Sequence, residues 1–271
     1  MTRGAAHARR AGGVLAALCG ACALAASATA SADDTLEEHV VTARRIGRGL
    51  DELPYRVEAI SATDLEQRGP RSLPDALAEA PGVMVQKTAH GQGSPYIRGF
   101  TGYRTLALID GVRYNNSVYR DGPSEYFALV DAESMARVEV LNGPDSVHHG
   151  SDAVGGVVSV ESERSRFANE AAGRAFLHGA QRYQFTSADR GHIARSELDT
   201  GAGGRWGLRL GYSTKDFGDV HAAGIGRQPR TGYDEQGFDA RLDVALAPGW
   251  RLSGLHQRLT QDDVWRTHAT R

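Results

Sequence analysis

The chain has 271 residues, 41% of them apolar, and its 31 basic side chains are spread among 33 acidic ones. Lacking any basic run, it offers no footprint for nucleic acid. Both cysteines, Cys19 and Cys22, fall in the first 32 residues, so the rest of the chain builds neither a disulfide scaffold nor a thiolate metal site.

Residues 1–32 read as a secretory signal peptide. Arg3, Arg9 and Arg10 form the positive head, residues 11–26 the short apolar run, and small residues before Asp33 the cleavage site. Removing this leader leaves 28 basic against 33 acidic residues, a net charge of −5. No later apolar stretch is long enough for a spanning helix, so any membrane-embedded part must be built of strands.

Residues 33–50 form a polar arm, too poor in apolar surface to fold alone. Its one β-prone patch is His39, Val40, Val41, Thr42 and Ala43. Residues 51–165 read as a compact mixed α+β domain. Ser61 is placed to cap a short helix with Asp64 at the capping-box position, and Ser72, Pro74 and Gly82 bracket a second. Residues 83–86 and 95–100 are short strand candidates. Asp110-Gly111 lies between alternating apolar residues, the pattern of a two-residue hairpin turn. A helical turn at residues 131–136 leads into a strand at 137–141, and another strand follows at 157–162.

Between those strands stands "GSDAVGGV", residues 150–157. Its Gly150 to Gly155 spacing matches a phosphate-cradling loop, but Gly156 and Val157 occupy the places of the required Lys and Ser/Thr. Nucleotide binding therefore fails on chemistry and on context. His148 and His149, read as adjacent strand residues, point to opposite faces and make a poor chelate. No metal site and no cofactor are expected. No Gly-x-Ser-x-Gly elbow or His-Glu-x-x-His pair is present, so the chain is not expected to be an enzyme.

From 166 to 271 the period changes to two. Trp206, Leu208, Leu210 and Tyr212 alternate with Gly207, Arg209 and Gly211. Phe238, Ala240, Leu242, Val244 and Leu246 alternate with Asp239, Arg241 and Asp243. Long alternating strands joined by tight turns are the pattern of a transmembrane β-barrel, with the apolar face to lipid and the charged face to the lumen. A soluble sandwich explains the alternation but fits the strand lengths and the Pro248-Gly249 turn less well. About five strands are counted, too few to close a barrel. The sequence therefore reads as the N-terminal part of a longer protein or a frame-broken copy of one.

This order of parts resembles a TonB-dependent outer-membrane receptor. "EEHVVTARR" resembles the TonB box. "LPYRVEAISATDLEQRG" and "LPDALAEAPGVMVQ" resemble the opening of the plug domain, and "SPYIRGF", "LALIDGVRY" and "RVEVLNGPDSVHHGSDAVGGVVSV" its later blocks. The resemblance implies an α+β plug domain followed by antiparallel transmembrane β-barrel strands, the barrel incomplete in this chain. It also implies the outer membrane of a Gram-negative bacterium, with the arm in the periplasm. There, active uptake of a ferric siderophore, haem or cobalamin would be driven through TonB, which residues 39–43 meet as an added strand. The alternative is a non-transporting truncated fragment. So few residues precede the box that plain transport is favoured over signalling. The plug's framework would include Arg98, Gly99, Asp110, Gly111, Gly143, Pro144, Gly150, Gly155 and Gly156. Arg98, Arg104, Arg113, Arg137, Glu139 and Asp152 would pair with one another or with lumen charges. Two loops mix aromatics, amides and charge as a ligand rim does: Gln86, Lys87, His90 and Tyr96 in the first, and Asn115, Asn116, Tyr119, Arg120 and Tyr126 in the second. Asn142 and His149 depart from the residue types usual in the family.

Overall fold

A computed structural model describes residues 39–40, 48–49, 56–115, 122–123 and 125–266, all within the compact unit that begins at Glu38. In the arm, β1 (His39–Val40) pairs antiparallel with β2 (Arg48–Gly49). Val41, Thr42 and Ala43 lie outside the described residues, as do Asn116, Tyr119 and Arg120.

The small domain is built on a mixed sheet. β3 (Arg56–Ser61), β8 (Met135–Asn142), β9 (Gly156–Ser162), β6 (Thr105–Ile109) and β7 (Val112–Arg113) lie side by side in that order. All neighbours are antiparallel except β9 and β6, which are parallel. The separate hairpin β4 (Val83–Ala89) and β5 (Gln92–Ile97) packs beside it.

Local sequence explains the elements. The Ser61 Oγ accepts the Asp64 amide while Asp64 accepts the Ser61 amide, starting α1 (Ala62–Arg68), and Gly69 ends it at φ +55°. The second helix, α2 (Leu73–Leu77), stops short of Gly82. Pro81 disfavours helical backbone at Ala80, and Gly82, at φ +83°, makes the turn into β4. At the β6–β7 turn Asp110 and Gly111 both have positive φ, as a type I′ turn requires. The main core lies between one sheet face and the helices and holds Leu73, Leu77, Ile97, Phe127, Val138, Val140 and Val158. A smaller core on the other face holds Leu106, Leu141, Ala153 and Val157.

Five long strands follow as an antiparallel meander: β10 (Ala175–Thr186), β11 (Gly191–Ala202), β12 (Trp206–Phe217), β15 (Tyr233–Ala247) and β16 (Trp250–Asp262). Two-residue strands β13 (His221–Ala222) and β14 (Gly226–Arg227) decorate the long connection 218–232. At one end of this wall the turns are short, Pro248-Gly249 being the tightest; the other end carries the long connection.

The wall's polarity is inverted. On β12 the buried positions are Gly207, Arg209, Gly211, Ser213, Lys215 and Phe217, facing the small domain. On β15 they include Glu235, Asp239, Arg241 and Asp243. Trp206, Tyr212, Phe238, Leu242 and Trp250 point away and are exposed. A soluble sandwich hides its apolar face, so that alternative fails on this arrangement.

The seam between plug and wall as candidate functional site

Acidic side chains of the small domain enter the wall. Asp131 precedes a 3-10 turn, Ala132–Ser134, and accepts the Glu133 amide at 3.0 Å. Its carboxylate also takes the Ser213 hydroxyl and the Lys215 ammonium, the latter at 3.1 Å, with Arg195 at 3.9 Å. Lys215 in turn meets Glu235 at 2.7 Å. Gly237 completes the notch, because a Cβ there would overlap the Asp131 carboxylate. Burial alone would raise the Asp131 carboxyl; Lys215, the Ser213 hydroxyl and Arg195 outweigh it and hold the group below the ordinary carboxylate range.

Similar joints run along the seam. Arg241 reaches Asp110 at 2.9 Å and the Ser162 hydroxyl at 2.7 Å, and Asp110 also accepts the Ser162 amide at 3.0 Å. The turn Asp110-Gly111 therefore fastens β7, β9 and the wall together. Arg209 bridges Glu163 and Glu197, and Arg182 bridges Glu133 and Glu66. Asp199 accepts the Ser165 hydroxyl and the Arg166 amide. Arg71 meets Asp189 with the signs reversed. Burial raises the Glu163 carboxyl, against the opposing pull of Arg209. Buried ions tolerate desolvation only with several partners each, and here most have two or more.

The structure places the expected residues as follows. Gln86, Lys87, His90 and Tyr96 lie on the β4–β5 hairpin, whose strands run on to a two-residue tip, His90-Gly91. The Tyr96 hydroxyl donates to Gln86 at 2.6 Å, and Lys87 pairs with Asp75. His90 is half-buried; burial first, then Arg71 and Lys87, lower its pKa. Asn115 is engaged by backbone, accepting from the Ala107 amide at 2.6 Å and donating to the Thr105 carbonyl at 2.9 Å. Tyr126 is a correction: it is 4% exposed and packs with Phe127 and Tyr114 in the core, so it presents no rim.

Among the framework residues, Arg98 and Gly99 turn the chain after β5 with positive φ. The Gly143 amide donates to the Gly155 carbonyl, closing the β8–β9 connection that contains Pro144 and Gly150. Gly155 and Gly156 are required by contact: a Cβ on either would collide with residues 97–100 or with Leu141. Arg113–Asp152 and Arg137–Glu139 form ion pairs, at 3.0 and 2.8 Å, whereas Arg104 stacks on Tyr103.

His148 and His149 are not on a strand. They lie in a four-residue helix, α3 (Ser146–His149), and their Nδ1 atoms contact the two oxygens of Asp145 at 2.6 and 2.8 Å. Asn142 donates to the Pro81 carbonyl at 3.1 Å. Both departures from family usage thus have partners within the domain. Sequence reasoning missed Asp131, Arg195 and Lys215; the shared parity of Ser213, Lys215 and Arg209 was the one available signal.

A mixed-sheet domain seated by its carboxylates in an inverted antiparallel wall defines a plugged barrel of the outer-membrane kind, here an open arc. Residues 50–157 match the TonB-dependent Receptor Plug Domain, and over this segment the chain is similar to TonB-dependent receptors. It is 38% identical over 148 residues to an iron-regulated outer membrane virulence protein of Vibrio cholerae, a match covering 52% of this chain and 22% of that protein. It is 38% identical over 124 residues to the vitamin B12 transporter BtuB of Vibrio vulnificus, covering 45% and 20%. The chain thus spans about a fifth of the length of these relatives. In fold it is similar to the pyoverdine receptor FpvA of Pseudomonas aeruginosa, with a TM-score of 0.64, 17% identity, and coverage of 82% of this chain and 30% of that one. The alcaligin receptor FauA of Bordetella pertussis gives 0.61 at 18% identity, covering 83% and 35%.

Proposed function

We propose that this protein takes part in TonB-dependent uptake of a scarce ligand across the bacterial outer membrane. The inverted wall set against a charge-seated plug carries the reading: lipid outside and a polar lumen inside explain both faces at once. In this reading the end with the long connection 218–232 faces outward, and the arm lies in the periplasm. Residues 39–43 pair with TonB as an added strand, which suits β-branched Val40, Val41 and Thr42. Further strands pair the free edges of β10 and β16.

An iron-regulated relative and a vitamin B12 transporter among the relatives support a ferric siderophore, haem or cobalamin as the ligand class. A ligand rim on the β4–β5 hairpin, with Gln86, Lys87, His90 and Tyr96, is supported by the Gly91 carbonyl at its tip accepting from Gln261 of the wall. Cells dependent on this receptor should take up the ligand only when TonB is present, and Val40→Pro should abolish uptake while leaving the protein in the outer membrane. Uptake that is equal with and without TonB would make the protein a passive pore. If the protein is present but uptake is absent under every ligand tested, the non-transporting reading stands.

A further inference from the structure

The seam is polar along most of its length and apolar at one end. The inward positions of β11, β12 and β15 are glycine, serine, alanine or charged, apart from Ile193, Phe217 and Tyr233. These three gather at the end that carries the long connection, each 2–3% exposed, with Val264 packed against them. Phe217 and Tyr233 are cross-strand partners with ring centroids 4.8 Å apart.

The plug's hairpin tip closes onto this cluster. A Cβ on Gly91 would stand 3.1 Å from the Tyr233 ring, so any side chain there would displace the ring or the tip by a few tenths of an ångström. The Gly91 carbonyl accepts Gln261 Nε2 at 3.1 Å. Arg71 covers the Phe217 ring at 5.2 Å while it holds Asp189.

We propose that Ile193, Phe217, Tyr233 and Val264, with the tip at Gly91, form a gasket that closes the outer end of the seam along this arc of the wall while the plug is seated. A seam lined by charged and hydroxyl groups hydrates and would leak ions and small solutes. An apolar constriction at its mouth excludes water. The inference rests on the transporter reading, which makes this end the outer one.

The test uses the receptor purified from outer membranes, in planar bilayers without TonB. The double variant Phe217→Ser/Tyr233→Ser should raise ionic leak about fivefold or more over the parent, as expected for a dewetted barrier made wet. Gly91→Val, which wedges the tip from the plug side, should raise it less. Leu208→Ser, on the outward face, should leave it at the parent's level. Where the double variant fails to fold, Gly91→Val decides alone. Leak at the parent's level in folded gasket variants, or an equal rise with Leu208→Ser, overturns the gasket. Uptake without TonB in the parent overturns the transporter reading and leaves the leak comparison intact.

Discussion

In the small domain the side chains sealed from solvent are mostly apolar, Leu77, Ile97, Phe127 and Val138 among them; in the wall they include Arg195, Lys215, Arg241 and Asp243, while Leu177, Tyr212, Phe238 and Trp250 lie open. One rule produces both patterns: each side chain is matched to what lies beyond it. The plug sheet has its own core on both faces and meets the wall mostly through polar groups. The wall's own apolar cluster is small, Ile193, Phe217 and Tyr233 at one end. The wall's inward charges require the plug, and its outward face requires lipid.

Two substitutions separate these kinds of burial at similar cost. Phe127→Ala should destabilise the domain by about 3–5 kcal/mol through cavity formation. Lys215→Met should cost about 3–5 kcal/mol by leaving Asp131 and Glu235 buried against each other. Hydrogen exchange at β8 and β9 amides reads both losses, and only the second should be relieved by a compensating Asp131→Asn. Without that relief, the seam is not held by charge.

Acid gives the same comparison a sign. The folded Asp131 carboxyl titrates below its unfolded value. Its contribution is complete above the ordinary carboxylate range and disappears as pH falls through the folded value. Glu161 and Glu163, raised by burial, act oppositely: their contributions are complete in acid and fade as pH rises through their folded values. Asp131→Asn should therefore flatten the acid limb of a plug-unfolding profile. An unchanged limb would assign acid sensitivity elsewhere.

Smaller effects follow on the outer face and at the first cap. Leu210→Arg should cost about 2–4 kcal/mol if that face meets the middle of a bilayer, measurable by folding into vesicles. A cost near zero would indicate water. Ser61→Ala should cost about 1 kcal/mol by removing the cap of α1, confined to the exchange of its first amides.

Local features were legible in the sequence. The Ser61–Asp64 box, the Asp110-Gly111 turn and the five alternating strands each rest on residues a few positions apart. The seam was not, because its partners are distant in the chain: Arg241 and Asp110 are separated by 131 residues, Arg182 and Glu66 by 116. Parity told which wall residues point inward but not which plug carboxylate each one meets. The β4–β5 hairpin was half legible. Gly91 and Gly93 look like loop signals, yet only Gly91 lies at the tip, against Tyr233, while Gly93 packs on Pro74 inside β5. His148 and His149 were misplaced because a four-residue helix has no periodicity to read, and the residue that anchors it, Asp145, looks like an ordinary turn aspartate.

On β12 the apolar residues turn to lipid and the charged residues to the plug. With the native cysteines replaced, single cysteines at positions 208 to 213 can carry spin labels in the receptor embedded in outer membrane. Accessibility to oxygen and to a water-soluble nickel chelate then reads each position. The expected result is strict alternation: 208, 210 and 212 open to oxygen and closed to nickel, and 209, 211 and 213 closed to both. Nickel access at 208, 210 and 212 would place that face in water and contradict the account.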